Sequence, residues 1–121
     1  MIIVTSLAPR STRDAVRCLN GLSGTKRHAE LRIDGLTPLR LGPLLARPRP
    51  PLIVTCRSRR EGGMFAGSPV RSEKLLMEAL AGGAEYIDVE YSLGPVVLRR
   101  LFAAAGRERI VLSYHDTRRT P

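Results

Sequence analysis

Short β-branched and apolar runs alternate along this chain with longer stretches whose apolar positions recur every three or four residues. Ile2 to Leu7 reads as a buried strand. Pro9 and Ser11 introduce a helix to about Leu19 with Ala15, Val16 and Leu19 as its apolar stripe, and Asn20-Gly21 is expected to stop it. Arg27 to Gly35 is the second strand, in which Glu30, Arg32 and Asp34 share one face and Ala29, Leu31 and Ile33 the other. A weaker helix, roughly Pro38 to Ala46, carries Leu39, Leu41, Leu44 and Leu45, with Gly42-Pro43 interrupting it. A proline-rich connector, Arg47 to Pro51, leads to a third strand over Leu52 to Arg57. After a polar loop, Ser58 to Gly67, Ser68 and Pro69 open the strongest helix, Val70 to about Gly82, with Leu75, Leu76, Ala79 and Leu80 on one side. Strand four is Ala84 to Glu90. A fourth helix, Gly94 to Ala105, carries Val97, Leu98, Leu101 and Phe102, and strand five is Arg109 to Tyr114, running into His115-Asp116.

Four strand–helix repeats followed by a fifth strand are the grammar of a parallel α/β fold, either a doubly wound sheet or a β/α barrel. The first loop, Ala8-Pro9-Arg10, lacks the glycine-rich phosphate cradle of a dinucleotide fold. Charged residues gather instead at the C-terminal ends of successive strands: Glu30, Arg32 and Asp34, then Arg57, then Asp88 and Glu90, then His115. β/α barrels build their active sites at that end from several strands, which favours a barrel. A whole barrel has eight strands and about 250 residues. The expectation for residues 1–121 is therefore a single incomplete domain: a partial (β/α)8 TIM barrel of parallel strands one to five with four intervening helices.

Composition narrows the function classes. The 43% hydrophobic and 26% charged content is ordinary for a globular domain. A net charge of +9 raises nucleic-acid binding, but the basic residues are dispersed and no basic segment interleaves aromatics that could stack on bases. No stretch approaches the length of a membrane span, and Met1 to Val4 lacks the basic and apolar regions of a signal peptide. Cys18 and Cys56 fit no metal-ligand spacing and read as small buried thiols, so a cytoplasmic protein without a metal is expected. Only two of the 20 basic residues, Lys26 and Lys74, are lysines.

Several side chains carry chemistry if they face a common mouth. His115 shares the Ser113 face of strand five and sits where an imidazole could transfer protons; the alternative is a histidine bonded to backbone at a strand end. Arg57 could fork onto a carboxylate or vicinal hydroxyls, or be an ordinary surface arginine. Glu61, followed by Gly62-Gly63, could turn back over the mouth, or lie in a plain solvated turn. The charged face of strand two could line a polar cavity, or be the solvated side of an edge strand.

Glu-Leu-Arg-Ile-Asp at 30–34, Thr-Cys-Arg-Ser-Arg-Arg-Glu-Gly-Gly at 55–63, Tyr-Ile-Asp-Val-Glu at 86–90 and Ser-Tyr-His-Asp at 113–116 occur in this order. Together they resemble type I 3-dehydroquinate dehydratase, over essentially the whole chain but only the N-terminal part of the family's domain. The resemblance implies a barrel, usually dimeric, that eliminates water from 3-dehydroquinate in the shikimate pathway of aromatic amino acid biosynthesis. Its chemistry uses an imine on a sixth-strand lysine and no cofactor. It implies that His115 is the general acid/base, that Glu61 orients it and that Asp88 supports it. It also implies that Glu30, Arg32 and Arg57 hold the substrate's hydroxyls. The sixth-strand lysine, a later carboxylate-binding arginine and a closing loop are expected beyond these residues. Lys26, at the start of strand two, and Lys74, within a helix, cannot replace that lysine by position. A truncated dehydratase is therefore expected, with a homodimer or a complementary C-terminal half-barrel chain as its partner. The alternative is a non-catalytic small-molecule binding or assembly module derived from the same barrel.

Overall fold

The computed structural model describes residues 3–22, 24 and 27–115. Its five strands, β1 (Val4–Leu7), β2 (His28–Arg32), β3 (Leu52–Thr55), β4 (Tyr86–Glu90) and β5 (Ile110–Ser113), form one sheet in sequential order. Every neighbouring pair is parallel. Helices α1 (Thr12–Leu22), α2 (Gly42–Leu45), α3 (Pro69–Ala81) and α4 (Pro95–Ala105) fill the four connections. Sequential parallel order with a helix in each crossover is the opening five-eighths of a β/α barrel, as the alternation of segments leads one to expect.

The sheet has two unlike faces. Ala29, Leu31, Ile33, Leu52, Val54, Ile87 and Val89 are wholly buried beneath helix residues such as Ala15, Leu19, Leu76, Ala79 and Leu101. Each Leu- or Ile-sized side chain sequestered in this way contributes about 1.5–3 kcal/mol, so this layer holds the sheet together. Register then brings the polar positions side by side on the other face. Arg32 pairs with Thr55, Thr55 with Asp88, and Glu90 with Ser113.

Local chemistry sets the helix ends. The Ser68 hydroxyl accepts from the Arg71 N–H at 3.2 Å, and Pro69 occupies the first turn of α3, where its missing N–H costs nothing. Ser11 caps the Asp14 N–H at 3.1 Å in the same way. Three expectations are corrected. Asn20-Gly21 does not stop α1, which runs on to Leu22. Leu22 packs against the core, a gain that outweighs the roughly 1 kcal/mol cost of a helical glycine. Residues 38–41 are not helical; α2 is one turn, and Gly42-Pro43 opens it instead of breaking it, because proline suits a first turn. Finally, β1 is not buried. Ile3 and Val4 are 51% and 45% exposed, because β1 has β2 alone as a neighbour among the described residues. At the other edge Val111, Leu112 and Tyr114 are exposed for the same reason. The two thiols also differ, Cys56 being buried and Cys18 half-buried.

Candidate active site

The C-terminal end of the sheet collects five of the eleven acidic residues, Glu30, Asp34, Glu61, Asp88 and Glu90, around Arg32 and Arg57. Strand alternation brings Glu30 and Arg32 to the polar face of β2. Glu30 accepts from the Ser6 hydroxyl at 2.8 Å and from the Thr55 hydroxyl at 2.9 Å, which ties β1, β2 and β3 together across that face. Arg32 forks onto Asp34, at 3.2 Å from Nε and 2.6 Å from Nη2, with its side chain 31% exposed. A cleft of about 260 Å³ lies there, lined by Arg10, Arg32, Asp34, Gly62 and Met64 among others. Asp34 also accepts from the backbone N–H of Arg57 at 3.3 Å and of Met64 at 2.9 Å. Burial works to raise its pKa, but the Arg32 guanidinium and these N–H groups outweigh it and hold the carboxyl below its usual range.

Arg57, just past β3, is the hub. Its side chain is 9% exposed, with Nη2 2.5 Å from Asp88 and Nη1 2.9 Å from Glu90 and 3.0 Å from the Ser113 hydroxyl. Burial opposes the charge, yet the two carboxylates raise the guanidinium's pKa further. The same Glu90 oxygen accepts from the Ser58 N–H at 3.2 Å.

Glu61 closes a one-turn 3-10 helix, Arg59–Glu61. Gly62 leaves that turn at φ +92°, a conformation that L side chains rarely adopt. Gly63 then passes so close to Arg57 that a Cβ there would lie 2.2 Å from the Arg57 carbonyl oxygen. The two glycines are therefore what lets the loop fold back. They leave the Glu61 carboxylate 2% exposed over the mouth, 3.9 Å from Arg57 Nη1. Its Oε1 accepts from the His115 N–H at 3.0 Å and faces the His115 ring at Nδ1, 3.1 Å away. Its Oε2 accepts from the Ser92 hydroxyl. The imidazole is 47% exposed and no described residue bonds its Nε2. A ring held at one nitrogen and open at the other is arranged to move a proton.

All six residues singled out from sequence, Glu30, Arg32, Arg57, Glu61, Asp88 and His115, thus lie at one end of the sheet. Asp88 does not touch His115 directly: it meets Arg57 and, at 3.5 Å, the Thr55 hydroxyl, and its other oxygen has no bonded partner among the described residues. Any support from Asp88 to His115 therefore passes through Arg57 and Glu61. Asp34 and Glu90, which the sequence groups with the charged strand ends, and Ser113, on the His115 face, join the site by bonding Arg32 or Arg57; sequence reasoning misses Ser92, which carries no periodic signal. Among the described residues no group of three or more His, Cys, Asp or Glu side chains could hold a metal, and no helix is long and apolar enough to cross a membrane.

A family model for type I 3-dehydroquinase matches residues 3–121. The chain is 36% identical to the 3-dehydroquinate dehydratase of Methanothermobacter thermautotrophicus over 117 residues, covering 94% of this chain and 50% of that protein. It is 35% identical over 89 residues to that of Desulfotalea psychrophila, covering 72% of this chain and 39% of the other. The chain thus spans half or less of the length of these relatives. The fold superposes on a Clostridium difficile type I 3-dehydroquinate dehydratase with a TM-score of 0.86 at 23% identity, over 99% of this chain and 53% of that one. An Enterococcus faecalis 3-dehydroquinate dehydratase gives 0.79 at 22% identity, with 99% and 55% covered.

Proposed function

Because this chain belongs to the type I 3-dehydroquinase family, we propose that its mouth is the proton-transfer and hydroxyl-binding half of a 3-dehydroquinate dehydratase active site. What carries the reading is the convergence of the Glu61–His115 pair with the hub around Arg57 at one end of a parallel sheet. The reaction is loss of water from a β-hydroxy ketone. A proton leaves the carbon next to the carbonyl, and the hydroxyl departs after taking up a proton. Glu61 fixes the imidazole at Nδ1, so Nε2 of His115 is the atom that carries the proton. The partly open Arg32, beside Glu30, meets the substrate's hydroxyls. Arg57, engaged by Asp88, Glu90 and Ser113, acts mainly as the buried strut that neutralises these carboxylates and holds them in place.

Charge supports the view that the site is shared with further strands. Five carboxylates against the guanidiniums of Arg10, Arg32 and Arg57 make the mouth formally acidic, although the chain carries +9. A carboxylate-bearing substrate needs cations from elsewhere. An imine-forming amine is needed as well, and Lys74 is exposed on α3, while Lys26 lies outside the described residues. We assign both to strands that complete the barrel, seated on the exposed edges of β1 and β5. A second copy of the chain at those edges is the other assembly.

The test is complementation. The chain is combined with a separately produced segment carrying strands six to eight of the Methanothermobacter relative, and formation of the conjugated product is followed by its absorbance. Dehydration by the pair, lowered by about 10²–10⁴ in His115→Ala, supports the reading. An assembled but inactive pair, or an unaffected His115→Ala, contradicts it.

A further inference from the structure

The loop after β4 reaches the site through one hydroxyl. Ser92, on the 3-10 turn Tyr91–Leu93, donates to Oε2 of Glu61, the oxygen turned away from His115. Oε1 meanwhile serves both the His115 N–H and its ring. A carboxylate held at one oxygen alone can swing about its last torsion, which is broad and roughly two-fold. With both oxygens engaged from different loops, its plane is fixed. The neighbouring Arg57 stands 3.9 Å from Oε1 and leaves Oε2 to Ser92. We propose that Ser92 is a positioning residue: it locks the Glu61 carboxylate so that Oε1 holds the proton of His115 on Nδ1 and turns Nε2 to the substrate side. The proposal rests on the proton-transfer role assigned to His115, but its geometry can be tested without turnover.

The chain has two histidines, and they report on opposite ends of the sheet. His28 starts β2, beside Tyr86, whereas His115 follows β5 at the mouth. Long-range ¹H–¹⁵N spectra, recorded across a pH series up to the point where the ring signals no longer change, read the tautomer of each. Ser92→Ala is expected to lower the ratio of Nδ1-protonated to Nε2-protonated His115 by about fivefold, the ratio that a hydrogen bond of about 1 kcal/mol sustains. His28 should keep its signals, and Ser92→Thr, which retains the hydroxyl, should restore the His115 ratio. If Ser92→Ala does not fold, Ser92→Cys carries the same comparison with a much weaker donor of similar size. Unchanged His115 signals in the folded Ala or Cys variant overturn the proposal. So does equal movement of both histidines, or a Thr variant as perturbed as Ala. An inactive complemented barrel in which the tautomer still depends on Ser92 would instead count against the dehydratase reading alone.

Discussion

Replacing Arg57 by methionine tests whether the hub is a structural strut. The substitution keeps much of the aliphatic bulk but removes the charge from a side chain that is 9% exposed. It leaves Asp88 and Glu90, 5% and 2% exposed, facing each other without a counter-ion. Breaking one side of a buried ion pair costs about 3–5 kcal/mol. A domain of this size has only about 5–15 kcal/mol in all, so Arg57→Met should lose a fifth or more of its stability in urea melts at neutral pH. The triple variant Arg57→Met, Asp88→Asn, Glu90→Gln removes the stranded charges and should regain at least about 2 kcal/mol, since neutral replacement of a buried ion pair is often tolerated. A loss below about 1 kcal/mol, or a triple variant no more stable than the single one, refutes the strut.

Four further outcomes follow from the structure. Gly63→Ala, whose new Cβ would meet the Arg57 carbonyl at 2.2 Å, should cost about 1–3 kcal/mol in thermal or urea melts. Gly21→Ala, with open space at that point of α1, should stabilise by up to about 1 kcal/mol. Asp34, whose folded pKa is depressed, stabilises the fold above its unfolded value of 3.8, and that contribution is lost as pH falls through the lower folded value. Asp34→Asn should accordingly lose about 1.5–3 kcal/mol at pH 7 and show a shallower acid transition than the parent. Burial pushes the Cys56 thiol up to about 12, so it should resist iodoacetamide at pH 8 while half-buried Cys18 is alkylated. The same shift should cost stability as pH climbs from about 9 toward 12, where the unfolded thiol ionises first.

What could be read from the sequence was what repeats. Alternation along β2 and β4 separated Ala29, Leu31, Ile33, Ile87 and Val89 from Glu30, Arg32, Asp88 and Glu90, and the parallel register placed the second group on one face. Glu-Gly-Gly at 61–63 signalled a loop able to fold back, and Glu61 does meet His115. What escaped depends on distance through space. The support of Asp88 for His115 is an implication of the family resemblance alone; no spacing in the sequence shows that Arg57 lies between the strands and takes the carboxylate. Ser92 sits on an irregular turn where no period marks a facing side chain. The burial of β1 was misread because a β-branched run records what a strand prefers, not whether a neighbour covers it. Gly42-Pro43 misled for a related reason: the same pair breaks a helix interior and opens a helix start, and only the backbone shows which.

On the proposed function, this chain carries the proton-moving residues of a dehydratase mouth, and the strands that complete the barrel carry its imine-forming amine. Mass spectrometry after borohydride reduction in the presence of 3-dehydroquinate tests it directly. An imine requires an amine that can lose its proton at the reacting carbonyl, which arginine cannot supply. The 121-residue chain alone is expected to remain unmodified. The pair formed with the complementing strands should gain one reduced substrate adduct on a lysine of the added segment. A substrate adduct on Lys26 or Lys74 of the chain alone, or no adduct on the assembled pair, contradicts the claim.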